Sequence, residues 1–438
     1  MWRTLTQLTG ERDFKKILAW SLYDWGNSAF STTIMAGFFP VFFKEFWSAG
    51  TDVSESTFKL GVANSLASLL IFVLAPFLGA AADQGRSRKR FLLAFASLGV
   101  LMSAGLTWVG KGDWQMAALF YALATVGFSG SIIFYDSLLV HVAPPNRTHI
   151  VSALGYSLGY LGGGILFALN VLMTLSPARF GLAGVSEAVR ASFLTVSIWW
   201  AAFSIPLLLY VPERGTVDYG GSAGGALRNG MRQLAATFGE VRKLRVVLVF
   251  LGAYWFYIDG VDTVIRMAVD YGLSLGFSSK NLLLALLITQ FVGFPAAIVF
   301  GWIGERIGPK TGIYIGIAVY FAITVWAYFM NSDGEFYAMA VAIGLVQGGI
   351  QSLSRSLYAR IIPKDKSAEF FGFYNMLGKF AAVMGPLLMG VTSLLTRKPR
   401  ASILALGILF VIGAGLLTQV RESEGAMLAK ELEDQHSG

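Results

Sequence analysis

Seven ionisable side chains interrupt stretches of this sequence that are otherwise apolar. A charge at the centre of a membrane-spanning helix costs about 2.5 to 3.5 kcal/mol, even on the lenient insertion scale. Such side chains are therefore expected to face a partner or a water-filled cavity, where they could bind a charged solute or carry a proton. They are Asp24, Asp136, Asp259, Asp262, Arg266, Arg355 and Lys379.

Three of these carboxylates belong to two trios that share one spacing, an aromatic residue followed by polar residues at i+4 and i+7: Trp20, Asp24 and Asn27, and then Trp255, Asp259 and Asp262. Each trio occupies one face of a helix. We interpret the two faces as walls of a central cavity that offer an aromatic surface and hydrogen-bond acceptors to a polar or amino-bearing substrate. Structural pairing is the alternative. It is preferred for Asp262, because Arg266 follows at i+4, whereas Asp24 has no basic neighbour in sequence and is assigned to function.

The remaining charges, those of the Asp136 and Arg355 pair and of Lys379, can each be interpreted in two ways. Asp136 and Arg355 occupy equivalent positions of the duplication described below, and an ion pair is their simplest use. If the pair opens reversibly, its carboxylate could also carry a proton. Lys379, beside Tyr374 and Asn375, is either a counter-charge for a substrate carboxylate or a lysine that is paired internally or reaches the membrane surface.

The elements that must position these residues are long apolar segments. Of the 438 residues, 55% are hydrophobic and only 14% are charged, against about 25% charge in soluble domains. At about 20 residues per membrane-spanning helix, the composition predicts an all-α membrane protein and excludes a soluble enzyme. Twelve spans are predicted, near 17–43, 58–82, 91–110, 114–142, 150–174, 191–211, 244–270, 281–303, 311–330, 335–358, 370–396 and 401–420.

The charge distribution predicts the orientation of these spans. With the N-terminus inside, 22 of the 34 lysines and arginines lie on the cytoplasmic side and 9 outside, as the positive-inside rule requires. The net charge of +8 is therefore ascribed to cytoplasmic loops rather than to a nucleic-acid partner. The exception is a basic cluster in the last external loop, formed by Arg397, Lys398 and Arg400.

A polar interruption divides the spans six and six. We predict a six-helix bundle over 1–212, a cytoplasmic linker with an amphipathic helix over 213–243, a second six-helix bundle over 244–420 and a cytoplasmic tail over 421–438. Asp136 to Pro144 matches Arg355 to Pro363 at an offset of 219 residues, and the two trios described above match in the same order. The sequence thus predicts a duplicated unit, one of the designs that place a transport site where two halves meet.

A third match joins the loops that follow spans 2 and 8. Both loops combine an acidic residue, a glycine and a basic residue, and we expect them to serve a cytoplasmic gate. The residues assigned to this gate are Gly79, Asp83, Gly85, Arg86, Glu305, Gly308 and Lys310.

The first of these loops resembles the signature loop of the major facilitator superfamily, although it has one residue instead of two between Asp83 and Gly85. The segments Leu22–Phe30, Gln347–Leu357 and Phe371–Phe380 resemble the branch that contains the fungal vacuolar amino-acid effluxers of autophagy and bacterial transporters of unknown substrate. The resemblance covers the whole chain. It implies two pseudo-symmetric six-helix bundles that work by alternating access, with spans 1, 4, 7 and 10 lining the central cavity.

We therefore predict a secondary active transporter of a small polar or zwitterionic solute, an amino acid or related metabolite, with proton coupling as an open alternative. Export of amphipathic compounds is the second hypothesis; a membrane enzyme or a transporter-like receptor is the third. With no cysteine and three scattered histidines, no metal site and no cofactor are expected. The protein is expected to be a monomer in a plasma or bacterial inner membrane, with both termini in the cytoplasm.

Overall fold

The computed structural model describes residues 11–50, 69–71, 74–75, 77–79, 82, 87–212, 239, 244–274, 278–396 and 399–437. Within these residues the regular structure is helical, and no strand occurs among them. Several predictions lie outside the described residues: almost all of the linker helix, most of span 2, the gate residues Asp83, Gly85 and Arg86, and the basic residues Arg397 and Lys398.

Twelve long helices occur in the described part of the chain, and nine of them are long and apolar enough to cross a membrane. The first eleven contain spans 1 and 3 to 12 and the twelfth forms the tail. Their bounds are Glu11–Ala29, Arg88–Gly105, Trp114–Val142, Thr148–Leu175, Val185–Tyr210, Arg245–Ser274, Ser279–Ile307, Pro309–Phe329, Asp333–Ile361, Ser367–Thr396, Pro399–Thr418 and Glu422–Ser437.

Span 1 does not end at Ala29. It continues through a π-helical stretch (Phe30–Phe38), a short α-helical stretch (Phe39–Phe42) and a second π-helical stretch (Phe43–Trp47). Aromatic packing accompanies this widened helix, because the Phe39 ring stacks on Tyr121 with ring centroids 3.8 Å apart. The sequence predicted one span here but not its wide turns.

Local chemistry explains where several helices begin. The Ser332 side chain accepts from the Glu335 backbone, and the Glu335 carboxylate accepts from the Ser332 backbone, which is a capping box at the start of span 10. Gly308 adopts a φ of 89° between the helices of spans 8 and 9, a conformation that favours glycine. Pro309 then opens the span 9 helix, where a missing N–H costs nothing. The predicted gate residue Gly308 thus has a definite conformational use.

Spans 6 and 12, the last spans of the two predicted bundles, are each capped at the C-terminal end by one lysine. Lys89, at the start of span 3, donates to carbonyl oxygens at the end of span 6, and Lys310, at the start of span 9, does so at the end of span 12. Cations stabilise helix C-termini, where carbonyl groups have no partner within the helix. The accepting oxygens lie 2.7 to 3.0 Å from the lysine nitrogens and belong to Leu208, Val211, Thr418 and Val420.

Arg400 of the basic cluster also has an explanation. Its guanidinium donates to the Tyr328 carbonyl at 3.4 Å, in the last turn of span 9, and to the Asn331 side chain at 2.8 Å. The positive charge therefore lies at the negative end of a helix dipole. This is a structural reason for one basic residue in a loop that is predicted to be external.

The chain divides into two compact units. The first contains Met1–Ile71, Lys89–Tyr135 and Leu158–Glu213, and the second contains Phe72–Arg88, Asp136–Ser157 and Arg214–Gly438. The helices of spans 4 and 5 each run from one unit into the other, so the predicted unit over 1–212 does not coincide with the first unit. The predicted boundaries at 212, 243 and 420 stay predictions.

The tail is helical, which was not predicted. Its helix packs against spans 7 and 10 within the second unit: a Cβ on Gly425 would lie 2.8 Å from the Ile361 side chain and 3.0 Å from Val246. Ala429 is buried, and the Glu433 carboxylate accepts from the Lys364 backbone at 2.5 Å.

Candidate functional site

Asp24 is a buried carboxylate in the first unit, with 6% of the residue exposed. The Tyr135 hydroxyl of span 4 donates to one oxygen at 3.3 Å, and the Ser28 hydroxyl donates to the other at 3.4 Å. Gly159 of span 5 lies against the same group, since a Cβ there would be 3.3 Å from the Asp24 carboxyl carbon. The structure thus places Asp24 among spans 1, 4 and 5.

Trp20 and Asn27 accompany Asp24 but are closed off from open space. Trp20 is fully buried, its ring stacks on Tyr135 with centroids 4.4 Å apart, and its indole N–H donates to the Tyr135 carbonyl at 3.0 Å. Asn27 is 1% exposed. Trp20 therefore positions Tyr135, which in turn holds Asp24, and the predicted substrate contacts of Trp20 and Asn27 stay predictions.

The predicted pair of Asp136 and Arg355 is present in the second unit. The Arg355 Nη1 atom lies 3.0 Å from Asp136 Oδ1, and the two side chains are only 2% and 4% exposed, respectively. Ser152 of span 5 accepts from the same guanidinium through its hydroxyl at 3.0 Å and its carbonyl at 2.8 Å. The Tyr156 ring lies under the guanidinium, 4.2 Å from its centre to the ring centroid, and Asn375 donates to the second Asp136 oxygen at 3.3 Å.

Tyr374 forms an aromatic wall beside Asn375. Its ring stacks on Tyr254 of span 7 with centroids 4.1 Å apart and on Tyr358 of span 10 with centroids 5.0 Å apart. All three rings are buried. The predicted site residues Tyr374 and Asn375 are thus brought next to the ion pair, with one facing other aromatic rings and the other facing Asp136.

Asp259 holds two helices together. Its Oδ1 atom accepts from the Gly385 backbone of span 11 at 2.9 Å and from the Thr263 hydroxyl at 3.4 Å. A Cβ on Gly385 would lie 1.9 Å from that hydroxyl oxygen, so only glycine allows this approach. These contacts are structural, and a substrate role for Asp259 stays a prediction.

The remaining predicted cavity residues are less defined. Asp262 and Trp255 are half-buried on span 7. The side chains of Arg266 and Lys379 lie outside the described part of the structure, although their helices are described. The predicted pairing of Asp262 with Arg266 and the two readings of Lys379 therefore remain predictions.

The predicted gate residues that the structure describes take up separate positions in the second unit. Glu305 of span 8 forms an ion pair with Arg147, which precedes span 5, at 2.9 Å. Gly79 of span 2 lies against the first turn of span 11, where a Cβ would be 2.3 Å from the Ala368 carbonyl oxygen. Lys310 caps span 12 as described above. A gating role for these residues stays a prediction.

Sequence reasoning missed the neutral partners of the charged groups. Tyr135, Ser152 and Tyr156 contact the two carboxylate sites, yet single hydroxyl residues in apolar spans are too common to attract notice. The one sequence signal near these residues is the match between the two halves of the chain, and it indicates their helices but not the residues themselves.

Relatives of the chain are found across bacteria and fungi. The family described as "Vacuole effluxer Atg22 like" matches residues 48–430. An "Uncharacterized MFS-type transporter YxiO" of Bacillus subtilis (strain 168) is 39% identical over 97% of this chain and 99% of that protein. "Autophagy-related protein 22" of Yarrowia lipolytica is 23% identical over 88% of this chain and 79% of that protein.

Solved structures give the same fold. A major facilitator proton:xylose symporter, XylE, aligns with a TM-score of 0.73 over 95% of this chain and 98% of its own, at 15% identity. The transporter FucP, in an outward conformation, aligns with a TM-score of 0.64 over 93% and 98%, at 13% identity. The predicted fold of two six-helix bundles with twelve spans is confirmed. The relatives are described as transporters and effluxers, not enzymes, as predicted.

Proposed function

The chain belongs to the Atg22-like family of the major facilitator superfamily and is a multi-pass secondary transporter, and we propose that it carries a small zwitterion, an amino acid or a close relative. The observation that carries this proposal is the buried pair of Arg355 and Asp136. A guanidinium binds a carboxylate through two parallel hydrogen bonds, and a carboxylate accepts from an ammonium group. The pair therefore holds the two charges that complement a zwitterion.

Exchange of partners would link binding to movement. Removing one member of a buried ion pair leaves an uncompensated charge, which costs about 3 to 5 kcal/mol. A zwitterion can replace both partners at once, with its carboxylate on Arg355 and its ammonium group on Asp136. A solute with one charge can replace only one of them, so the pair would discriminate against it. Asn375 already donates to Asp136 and would stabilise that carboxylate during the exchange.

Ligand-induced thermal stabilisation of the purified protein tests the substrate class. Leucine is compared with isocaproate, which lacks the amine, and with isoamylamine, which lacks the carboxylate. A ligand at about 100 times its Kd adds about 2.7 kcal/mol of stability. Leucine should therefore raise the melting temperature of the protein, and isocaproate and isoamylamine should not. Arg355→Gln should abolish the effect, whereas Lys111→Gln, in an exposed turn, should keep it. Equal stabilisation by leucine and isoamylamine would refute the zwitterion proposal.

Export of amphipathic compounds is the second candidate function. It is favoured by the wall of Tyr254, Tyr358 and Tyr374, because stacked rings offer flat apolar surfaces. Stabilisation by aromatic cations, without stabilisation by any amino acid, would support this candidate instead.

We also propose proton coupling through Asp24. A carboxylate can bind a proton on one side of the membrane and release it on the other, and one elementary charge crossing 100 mV is worth about 2.3 kcal/mol. The Tyr135 and Ser28 hydroxyls can stay as neighbours in both protonation states, since a hydroxyl both donates and accepts.

The setting of the transporter is part of the same proposal. The protein is placed in a plasma or bacterial inner membrane as a monomer, with both termini in the cytoplasm and without a nucleic-acid partner. The basis for the orientation of the termini is the predicted excess of lysine and arginine in the loops on one side. Light scattering of the detergent-solubilised protein tests the monomer, and a dimer mass would contradict it.

A further inference from the structure

His149 fastens the first turn of span 5 to the end of span 10. The residue is 4% exposed. Its Nδ1 atom lies 2.8 Å from the Ser356 hydroxyl oxygen, and its Nε2 atom lies 2.8 Å from Nη1 of Arg360. Both contacts belong to the second unit, and neither partner took part in the site described above.

The contacts define the protonation state of the imidazole ring. A guanidinium only donates hydrogen bonds, so Nε2 must accept from Arg360 and carry no hydrogen. The hydrogen of the neutral ring is then on Nδ1, from which it is donated to Ser356. The Ser356 hydroxyl in turn donates to the Leu353 carbonyl at 3.0 Å. The whole chain of bonds therefore requires a neutral His149.

The charged groups around His149 come from three elements. Arg360 faces the ring from span 10, and its Nη1 atom also contacts Glu422 of the tail helix at 2.8 Å. From span 8, Gly304 packs against the ring, and the neighbouring Glu305 is paired with Arg147 at 2.9 Å. Each carboxylate is thus engaged by an arginine, and the charge that meets Nε2 is a guanidinium.

We propose that His149 is a proton-operated latch: the neutral ring holds the start of span 5 on span 10, and uptake of a proton at Nε2 releases it. The added proton replaces the acceptor with a donor at 2.8 Å from Arg360, and it adds a positive charge beside an existing one. The latch goes beyond the proposed transport function, because it makes the conformation respond to pH whether or not a substrate is bound.

The tail helix adds a second attachment to this latch. Glu422 binds the same Arg360 nitrogen that bonds to His149, so it holds the guanidinium in place. Burial raises the pKa of Glu422, which Arg360 opposes. When the histidine takes up a proton, Arg360 can stay with Glu422 and leave the ring. Span 10 and the tail then stay together, and span 5 separates from both of them.

A distance measurement tests the latch without any substrate, so that its failure is separate from failure of the proposed function. Spin labels are placed on Asn146→Cys and Lys364→Cys, both exposed, in the otherwise cysteine-free chain in nanodiscs. Loss of one charge-assisted hydrogen bond shifts a two-state equilibrium about tenfold or more. Acidification from about pH 8 to about pH 5 passes the pKa of an imidazole ring in water, which is the state of His149 after release. It should therefore raise the long-distance to short-distance ratio by about that factor.

Three variants assign the pH response. In His149→Gln the amide oxygen still accepts from Arg360 but does not titrate, so the distance should stay short at both pH values. In Arg360→Gln the protonated ring finds an acceptor, so the response should also vanish. His141→Gln is the matched control, because His141 contacts Arg88 of span 3 and not span 10, and it should keep the full response.

The wild-type chain gives a readout that does not depend on variants. With only three histidines, nitrogen-15 spectra of labelled protein resolve each ring, and His149 should carry its hydrogen on Nδ1 when the distance is short and both hydrogens when it is long. A pH response that persists in His149→Gln, that disappears in His141→Gln, or that is absent in the wild type overturns the latch.

Discussion

At the scale of residues, Asp24, Asp136, Asp259 and Arg355 are each held by groups from other helices. Asp136 and Arg355 satisfy each other and draw further bonds from Ser152 and Asn375. Burying such a pair is costly unless the remaining donors and acceptors are also paired. The pair is therefore weak support for stability as such, and a use in binding or movement gives a better reason for its presence.

The sequence could identify this pair but not its surroundings. The offset of 219 residues between Asp136 and Arg355 follows from the duplication, and two opposite charges within apolar spans need partners. Ser152, Tyr156 and His149 gain their roles only from long-range packing, which has no local sequence signal. Trp20 is a further example, since its spacing suggested a cavity wall but could not show that its ring is buried against Tyr135. Its contact with a substrate stays a prediction.

Asp24→Asn is the sharpest test of coupling at this scale. The substitution keeps the size of the side chain and its acceptor oxygen but cannot take up a proton, so Tyr135 and Ser28 keep a partner and the fold should survive. In proteoliposomes the variant should exchange substrate across the membrane yet fail to accumulate it under a pH gradient. Wild-type accumulation by a well-folded Asp24→Asn protein would return Asp24 to a structural role.

At the scale of elements, the lengths of the apolar segments were enough to predict most of the helices. Every predicted span that lies within described residues coincides with a helix, because a backbone within a membrane must satisfy its own hydrogen bonds. The sequence did not predict the π-helical stretches of span 1 or the tail helix Glu422–Ser437. The first is accompanied by aromatic packing with other spans, such as that of Phe39 on Tyr121, which has no local sequence signal. The second is polar, and its helix packs on Ile361 and Val246.

The two lysine caps predict equal effects in the two units. Lys89→Met and Lys310→Met each remove a cation that donates to a helix C-terminus, which should cost about 0.3 to 1 kcal/mol in unfolding free energy because both lysines are partly exposed. The costs should add in the double variant, since the residues share no partner. Chemical denaturation in detergent measures them, with Lys111→Met as the control. A control as destabilised as the single variants would exclude capping as the cause.

At the scale of the whole molecule, duplication and orientation are separate properties. The fold repeats the same capping contact in each half of the chain, and the structural neighbours confirm the twelve-span fold. Neither observation says which side of the membrane holds the termini. That information lies in the loop charges alone, because the positive-inside rule acts during insertion and not through contacts in the folded protein.

Paired isosteric cysteines decide this orientation. Ser186 lies in the first turn of the span 6 helix and Ser423 in the first turn of the tail helix. Both are exposed, so Ser186→Cys and Ser423→Cys should leave the fold intact. An impermeant thiol reagent added to intact cells should label Ser186→Cys at once and Ser423→Cys only after permeabilisation. The parent chain contains no cysteine and serves as the unlabelled control. Labelling of Ser423→Cys in intact cells would invert the topology, because 22 of the 34 basic residues would then face outwards, against the bias that positions spans during insertion.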